Sequence, residues 1–145
     1  MALDVTVETV IERPVDEVAA YAGDPSNAPE WYANIRSVQW QTPPPVAVGS
    51  RMEFVAQFLG RRLAYTYEVS ELEVGERLVM RTAQGPFPME TTYEWSPVSG
   101  GTLMRLRNKG QPAGFGRMAA PMMASAVRRN TTKDLARLKQ LLESA

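Results

Sequence analysis

The chain has 145 residues, the length of one ordinary domain, which is enough to bury roughly two thirds of the surface that its unfolded form exposes. Its 16 basic and 16 acidic residues cancel, so no overall charge favours binding to nucleic acid or to an anionic membrane. Cysteine and histidine are both absent, which excludes disulfides, thiol nucleophiles, Cys/His metal sites and a histidine general base. No stretch approaches the roughly eighteen apolar residues of a membrane-spanning helix, and we expect a cytoplasmic protein.

The spacing of apolar residues predicts the elements of the first third of the chain. Residues 4–12 alternate apolar and polar side chains, which indicates a first strand. Pro14 suits the start of a helix, Gly23 ends that helix, and a second short helix runs toward Trp31. A second strand is predicted at 35–42.

Three hairpins are predicted between residues 50 and 110. Each is supported by cross-strand pairing, because apolar side chains meet on one face and opposite charges meet on the other. A turn at Gly60-Arg61 fixes the first hairpin, and later turns near residues 74 and 99 fix the other two. The resulting pairs are Phe54 with Tyr67, Val69 with Met80, Trp95 with Met104 and, unfavourably, Glu53 with Glu68.

With this parity the strand glutamates turn outward, and the inner face of the sheet is apolar, dotted with hydroxyl groups and uncharged. Such a lining suits an apolar or aromatic small molecule, and it gives acid–base catalysis no inward carboxylate. The sequence therefore assigns no catalytic residue, no metal site and no cofactor.

A Gly/Pro-rich loop at 111–116 precedes a long helix predicted from Pro121 to Glu143, about 34 Å in length and able to cross the whole sheet. The predicted inward stripe consists of Ala120, Met123, Ala124, Val127, Thr131, Leu138, Leu141 and Leu142. Small residues in the first half predict a cavity there, and leucines in the second half predict a solid core. In the alternative, bulky strand residues fill the gap as they do in any core.

The order of strand, two short helices, six antiparallel strands and long terminal helix resembles the helix-grip fold. More narrowly, the chain resembles the SRPBCC superfamily, which includes START lipid-transfer domains, the birch-pollen allergen group and polyketide cyclase/dehydratase-like proteins. The resemblance is carried by residues 9–18, Asp24-Pro25 with Trp31, and the segments 48–50, 71–78 and 100–102. It implies one α+β domain over residues 1–145, with a seven-stranded curved antiparallel sheet wrapped around the C-terminal helix. It further implies a cavity between sheet and helix that takes up hydrophobic or polycyclic ligands.

Two groups of candidate site residues follow from the inner face, the helix stripe and the neighbouring loops. The predicted ligand-binding residues are Phe54, Tyr65, Tyr67, Met80, Thr82, Thr91, Tyr93, Trp95, Met104, Asn108, Ala120, Met123, Ala124, Val127 and Thr131. The predicted rim residues are Trp31, Phe87, Met89, Phe115 and Met118. The aromatic residues would stack on a flat ligand and donate hydrogen bonds to it, or else serve only as core. The hydroxyl of Thr131 has a competing partner in the carbonyl of Val127.

These observations favour a carrier or binding module for a small hydrophobic or aromatic molecule. One alternative is a polyketide cyclase/dehydratase-like enzyme that shapes its substrate. A second is an accessory protein that docks on an enzyme or membrane through Phe87, Phe115 and Met118. We expect no nucleic-acid partner, no stable membrane insertion, and a monomer or weak homodimer.

Overall fold

The computed structural model describes residues 2–116 and 118–145, and its elements follow the predicted order. The strands are β1 (Leu3–Ile11), β2 (Ile35–Trp40), β3 (Arg51–Phe58), β4 (Arg61–Glu73), β5 (Arg77–Gln84), β6 (Met89–Val98) and β7 (Gly101–Gly110). The helices are α1 (Val15–Ala22), α2 (Ala28–Trp31) and α3 (Ala120–Glu143), with a 3₁₀ turn at Pro25–Asn27 before α2. The seven strands form one antiparallel sheet that curls around α3, which confirms the predicted helix-grip architecture.

The sheet has the order β1-β7-β6-β5-β4-β3-β2, so the first two strands of the chain form its two edges. The segment with α1 and α2 therefore crosses from one edge to the other. Bulges interrupt the pairing of β2 with β3 near Ile35 and the pairing of β4 with β5 near Thr66 and Val69. Because a bulge bends its strand and increases the local twist, these interruptions help the sheet to curve.

Two predicted hairpin registers hold and one is wrong. Val69 lies opposite Met80, and Trp95 lies opposite Met104, as the sequence pattern predicts. The β3–β4 turn, however, is Leu59-Gly60, which moves the register by two residues. The same side chains stay on the same face.

This shift removes the unfavourable glutamate pair that the sequence pattern predicts. Glu68 lies opposite Arg51, with 2.7 Å between its carboxylate and the guanidinium, while Glu53 lies opposite Thr66. The like-charge contact was therefore a sign of the wrong register. The ion pair itself is half exposed and stabilises the fold little, because water screens it.

Helix α3 is fixed to the edge strand β1 and to the segment around α2. Arg128 donates a hydrogen bond to the carbonyl of Thr6, and Lys139 donates one to the carbonyl of Val10. Arg137 donates to the carbonyl of Glu30 at the other side of the helix. These bonds cover backbone groups of an edge strand and hold the helix in place across the concave face.

The buried stripe of α3 differs from the predicted one. Its buried residues are Met123, Ala126, Thr131, Asp134, Leu135 and Leu138. Ala120 is exposed and Ala124 is only half buried, because the helix turns the side with Ala126 and Asp134 toward the sheet. Leu141 and Leu142 pack on the margin of the core and remain partly exposed.

The second half of α3 covers a solid core. Leu135 and Leu138 belong to one continuous apolar cluster with Ile11, Val18 and Leu78, all fully buried. Interdigitation at this end of the sheet leaves little empty space, as is usual for a protein interior.

We predict that Leu138→Ala lowers the free energy of unfolding by about 2–5 kcal/mol, because it removes a fully buried side chain from this solid region. Leu141→Ala is the matched control, since Leu141 lies on the margin of the core, and it should cost clearly less. Urea denaturation of both variants measures the difference. Equal losses would contradict the description of a solid core beneath the second half of α3.

Candidate functional site

A cavity of about 160 Å³ lies between the sheet and the first half of α3. Its sheet side comes from all seven strands, with only Leu3 from β1, and its helix side comes from residues between Met123 and Asp134. The aromatic residues in its wall are Tyr32, Phe54, Phe58, Tyr65, Tyr67, Phe87, Tyr93 and Phe115. The cavity therefore lies where the sequence pattern predicts it.

Aromatic rings form one side of the cavity. Phe54 and Tyr65 stack nearly parallel, with 5.5 Å between ring centroids and 11° between planes. Tyr67 meets Tyr65 edge to face at 5.0 Å. Alternation along β3 and β4 places these rings on the concave face, where they offer flat apolar surfaces.

A chain of hydrogen bonds crosses the cavity wall from β4 to α3. The Tyr67 hydroxyl lies 2.8 Å from the Thr91 hydroxyl, which itself donates to the side-chain oxygen of Asn108 at 2.8 Å. Tyr67 must therefore be the donor in the first bond. The amide of Asn108 in turn donates to the Thr131 hydroxyl at 3.5 Å. Thr131 thus belongs to a cavity network, and it is the neighbouring Thr132 that bonds back to a helix carbonyl, that of Arg128.

A second polar group of the cavity consists of two tyrosines. The hydroxyl oxygens of Tyr32, which follows α2, and Tyr93, on β6, are only 2.6 Å apart. One of the two hydroxyls donates to the other, so a single hydrogen of the pair remains for another acceptor. The Tyr65 hydroxyl has no hydrogen-bond partner among the described residues. The Tyr65 hydroxyl and one hydroxyl hydrogen of the Tyr32–Tyr93 pair are therefore donors that no described residue accepts.

Asp134 is the functional candidate that the sequence analysis missed. It lies in the buried stripe of α3, is 4% exposed, and lines the cavity. Its Oδ1 accepts the backbone N–H of Ala33 at 3.0 Å, which ties the helix to the segment between α2 and β2. The strands supply no carboxylate to the cavity, but the expectation that no carboxylate points inward is wrong, because α3 supplies Asp134. Heptad spacing from Val127 could have found this residue, had a charged side chain been admitted to the stripe.

Burial raises the pKa values of Asp134 and of the tyrosines in the cavity wall. It raises the pKa of Asp134 to about 6, an effect that the bond from Ala33 opposes. It also raises the pKa of Tyr67 to about 12 and the pKa values of Tyr32 and Tyr65 well above the usual range. The phenols are therefore neutral donors at neutral pH, while the carboxyl group of Asp134 changes its charge near pH 6.

Three phenylalanines from separate segments close the rim of the cavity. Phe115, in the loop before α3, packs edge to face on Phe58 at 5.6 Å and on Phe87 at 5.9 Å. Arg61 lies over the Phe115 ring at 5.4 Å and donates to the carbonyl of Ala113. The rings are turned toward one another, so Phe87 is buried and Phe115 is half buried.

The structure brings most of the predicted site residues together around this cavity. Those that line it are Phe54, Tyr65, Tyr67, Met80, Thr91, Tyr93, Asn108, Met123, Val127 and Thr131, with Phe87, Met89 and Phe115 of the predicted rim.

Seven predicted site residues lie outside the cavity wall. Trp31, Trp95 and Met104 are buried in the solid core, toward the end of the sheet where α1 packs. The Thr82 hydroxyl accepts the backbone N–H of Met89 and donates to the backbone carbonyl of the same residue. The others are Ala120 and Ala124, which the rotation of α3 turns away, and Met118, which is half buried in the preceding loop.

Two further properties can be stated for residues 2–116 and 118–145. No helix there is both long enough and apolar enough to cross a membrane. No group of three or more acidic side chains is arranged to hold a metal ion in that part of the chain.

A family model described as "Polyketide cyclase / dehydrase and lipid transport" matches residues 2–143. The family match agrees with the superfamily resemblance predicted from the sequence. No curated protein matches the sequence of this chain.

Solved structures share the architecture at low sequence identity. A protein from Thermus thermophilus is 20% identical, with a TM-score of 0.83 and coverage of 98% of this chain and 99% of its own. A START superfamily protein from Mycobacterium smegmatis is 14% identical, with a TM-score of 0.81 and coverage of 99% and 97%. The Zhui aromatase/cyclase from a Streptomyces species is 16% identical, with a TM-score of 0.78 and coverage of 99% and 94%. At these identities the similarity establishes the fold alone.

We predict that Asp134 makes the protein less stable as pH rises from about 4 to about 6. The raised pKa means that the folded state holds the proton longer than the unfolded state, whose carboxyl has the ordinary pKa of 3.8. The stabilisation is complete below pH about 4 and is lost as pH passes about 6, with a total of at most about 3 kcal/mol. Asp134→Asn keeps an oxygen for the Ala33 N–H and removes the titration.

The measurement is the free energy of unfolding of wild type and Asp134→Asn in urea between pH 4 and 8. The difference between the two proteins should grow in favour of the variant up to about pH 6 and then level off. Asp16→Asn removes an exposed carboxylate and should leave the wild-type contribution of Asp134 in place. A difference that does not change with pH would show that Asp134 is not an isolated buried carboxyl group.

Proposed function

This chain belongs to the polyketide cyclase/dehydrase and lipid transport family, and we propose that its cavity binds a small hydrophobic or aromatic molecule. The observation that carries the proposal is the partly open cavity of about 160 Å³ between aromatic side chains and α3. An engineered apolar cavity of about 150 Å³ binds benzene, so this volume suits a molecule with one ring. A larger polycyclic ligand would require the rim phenylalanines to separate.

The walls of the cavity support an aromatic ligand more specifically than an aliphatic one. The stacked rings of Phe54 and Tyr65 present a flat face, and the hydroxyls of Tyr65 and of the Tyr32–Tyr93 pair supply donors at the same site. Flexible side chains such as Met80 and Met123 adapt to the remaining shape. Binding without turnover, as carrier or sensor, is the function that these features support best.

We predict that 4-ethylanisole, a neutral one-ring molecule, binds wild type with one-to-one stoichiometry in a calorimetric titration. Val127→Phe should abolish the binding, because Val127 lines the cavity and a phenyl ring would fill it. Ala124→Leu is the matched control, since Ala124 lies one turn away outside the wall, and it should bind as wild type does. Near-UV circular dichroism checks that both variants keep native packing. Unchanged binding by Val127→Phe would contradict the proposed site.

The carboxyl group of Asp134 supports a second candidate, a polyketide cyclase-like enzyme. Such chemistry needs a group that accepts a proton from the carbon beside a carbonyl and a donor that stabilises the resulting enolate. Asp134 has a pKa near 6, and the phenols of Tyr32 and Tyr93 are close enough for its charge to raise their pKa values. The carboxylate would take the proton, while a phenol would donate to the enolate oxygen.

This second candidate predicts that the protein accelerates hydrogen–deuterium exchange beside the carbonyl of 4-methoxyphenylacetone in D₂O. Asp134→Asn should lose the acceleration by about a hundredfold or more, because it removes the only carboxylate of the cavity wall among the described residues. Proton NMR follows the exchange. If wild type binds the ketone without accelerating exchange, the protein is a binding module and the enzymatic candidate fails.

A further inference from the structure

We propose that Asp134 selects aromatic ligands that carry a hydroxyl group, by accepting a hydrogen bond from that group inside the cavity. The proposal rests on the ligand-binding function proposed above and specifies the chemistry of the ligand. It concerns recognition, and it holds whether or not a reaction follows.

The first observation is that only one of the two carboxyl oxygens of Asp134 accepts a hydrogen bond. Oδ1 accepts the N–H of Ala33, whereas the second oxygen receives no hydrogen bond from any described residue. The side chain is more than nine-tenths buried and lines the cavity. No lysine or arginine among the described residues forms an ion pair with it, although these residues form eight ion pairs elsewhere. The second oxygen is not fully enclosed by protein atoms, so a ligand group in the cavity can reach it.

The second observation is the surplus of hydrogen-bond donors close to the same carboxyl group. Tyr32 and Tyr93 hold two hydroxyl hydrogens, and their mutual bond uses only one. Tyr32 directly precedes Ala33, whose N–H bonds to Asp134, and Tyr32, Tyr93 and Asp134 line the same cavity, yet neither phenol bonds to the carboxyl group. The cavity therefore contains an acceptor that lacks a donor beside a donor that lacks an acceptor.

A hydroxyl group on the ligand satisfies both requirements together. It donates its hydrogen to the free oxygen of Asp134 and accepts the spare hydrogen of the tyrosine pair. An ether oxygen can accept but cannot donate, and an ammonium group can donate but cannot accept. A carboxylate ligand would repel Asp134. Since bonds to a charged acceptor are the stronger kind, hydroxyl-bearing ligands should be clearly preferred.

Three ligands of matched size test this inference: 4-ethylphenol, 4-ethylanisole and 4-ethylbenzylamine, titrated at pH 7.5 by calorimetry. Wild type should bind 4-ethylphenol about tenfold or more tightly than 4-ethylanisole, the factor expected for a hydrogen bond to a charged group. It should also bind 4-ethylphenol more tightly than the amine. In Asp134→Asn, which presents an amide N–H to the cavity, the preference for the phenol over the anisole should shrink to less than about threefold.

Asp16→Asn serves as the matched control, because it removes an exposed carboxylate and should retain the full preference. A second measurement does not depend on any variant. The carbon-13 resonance of the Asp134 side-chain carboxyl should shift when 4-ethylphenol binds to wild type and stay in place when 4-ethylanisole binds.

Equal affinity of wild type for the phenol and the anisole would overturn the inference and leave the cavity function intact. Tighter binding of the amine would also overturn it, and would identify the site as one for aromatic cations. A complete lack of binding by all three ligands would overturn the proposed function together with this inference.

Discussion

The attachment of α3 to the sheet is the constraint on which the rest of the structure depends. The basic side chains of Arg128 and Lys139 bond to carbonyls of the edge strand β1, and Asp134 receives the N–H of Ala33 from the opposite side. These bonds fix the rotation of the helix. That rotation determines that Leu135 and Leu138 complete a solid core, while Met123, Val127 and Thr131 face open space. A rotation of about 100° would turn both sets of side chains away from the sheet, because they lie on one stripe of the helix.

Two features of Asp134 have opposite effects on the stability of the fold. Its bond to Ala33 joins the helix to the segment after α2, but its burial without a cation costs stability above pH about 6. A buried carboxyl group that costs stability in a cavity is characteristic of a functional group, because sites are where local stability is commonly given up. The surrounding phenols remain neutral and supply hydrogen-bond donors without adding charge.

The fold could be predicted from the sequence because two independent signals indicate the same hairpins. One is the alternation of apolar and polar side chains along the strands, and the other is the residues of the turns. Two hairpins show this, the one that pairs Val69 with Met80 and the one that pairs Trp95 with Met104. In each, the turn residues and the match of apolar faces indicate the same register. The β3–β4 register failed because a shift of two residues keeps every side chain on its face. Only the Glu53–Glu68 contact argued against the predicted alignment.

The site was less predictable, for reasons that particular residues make clear. The position of the cavity follows from the change along α3 toward large apolar residues, yet the small residues Ala120 and Ala124 do not form it. Hydropathy assigns Asp134 to the surface, since it cannot register that a backbone N–H from Ala33 will meet the carboxylate. Likewise, the Tyr32–Tyr93 bond joins residues 61 positions apart and has no signature in either local sequence.

The central claim is that the cavity beside Asp134 is a ligand site. A crystal structure of the protein with 4-bromophenol tests it most directly, because the anomalous signal of bromine locates the ring without ambiguity. The account predicts one bromine peak inside the cavity, with the phenol oxygen within hydrogen-bond distance of the free oxygen of Asp134. Bromine found only on the outer surface, with the cavity empty or filled by its own side chains, would contradict it.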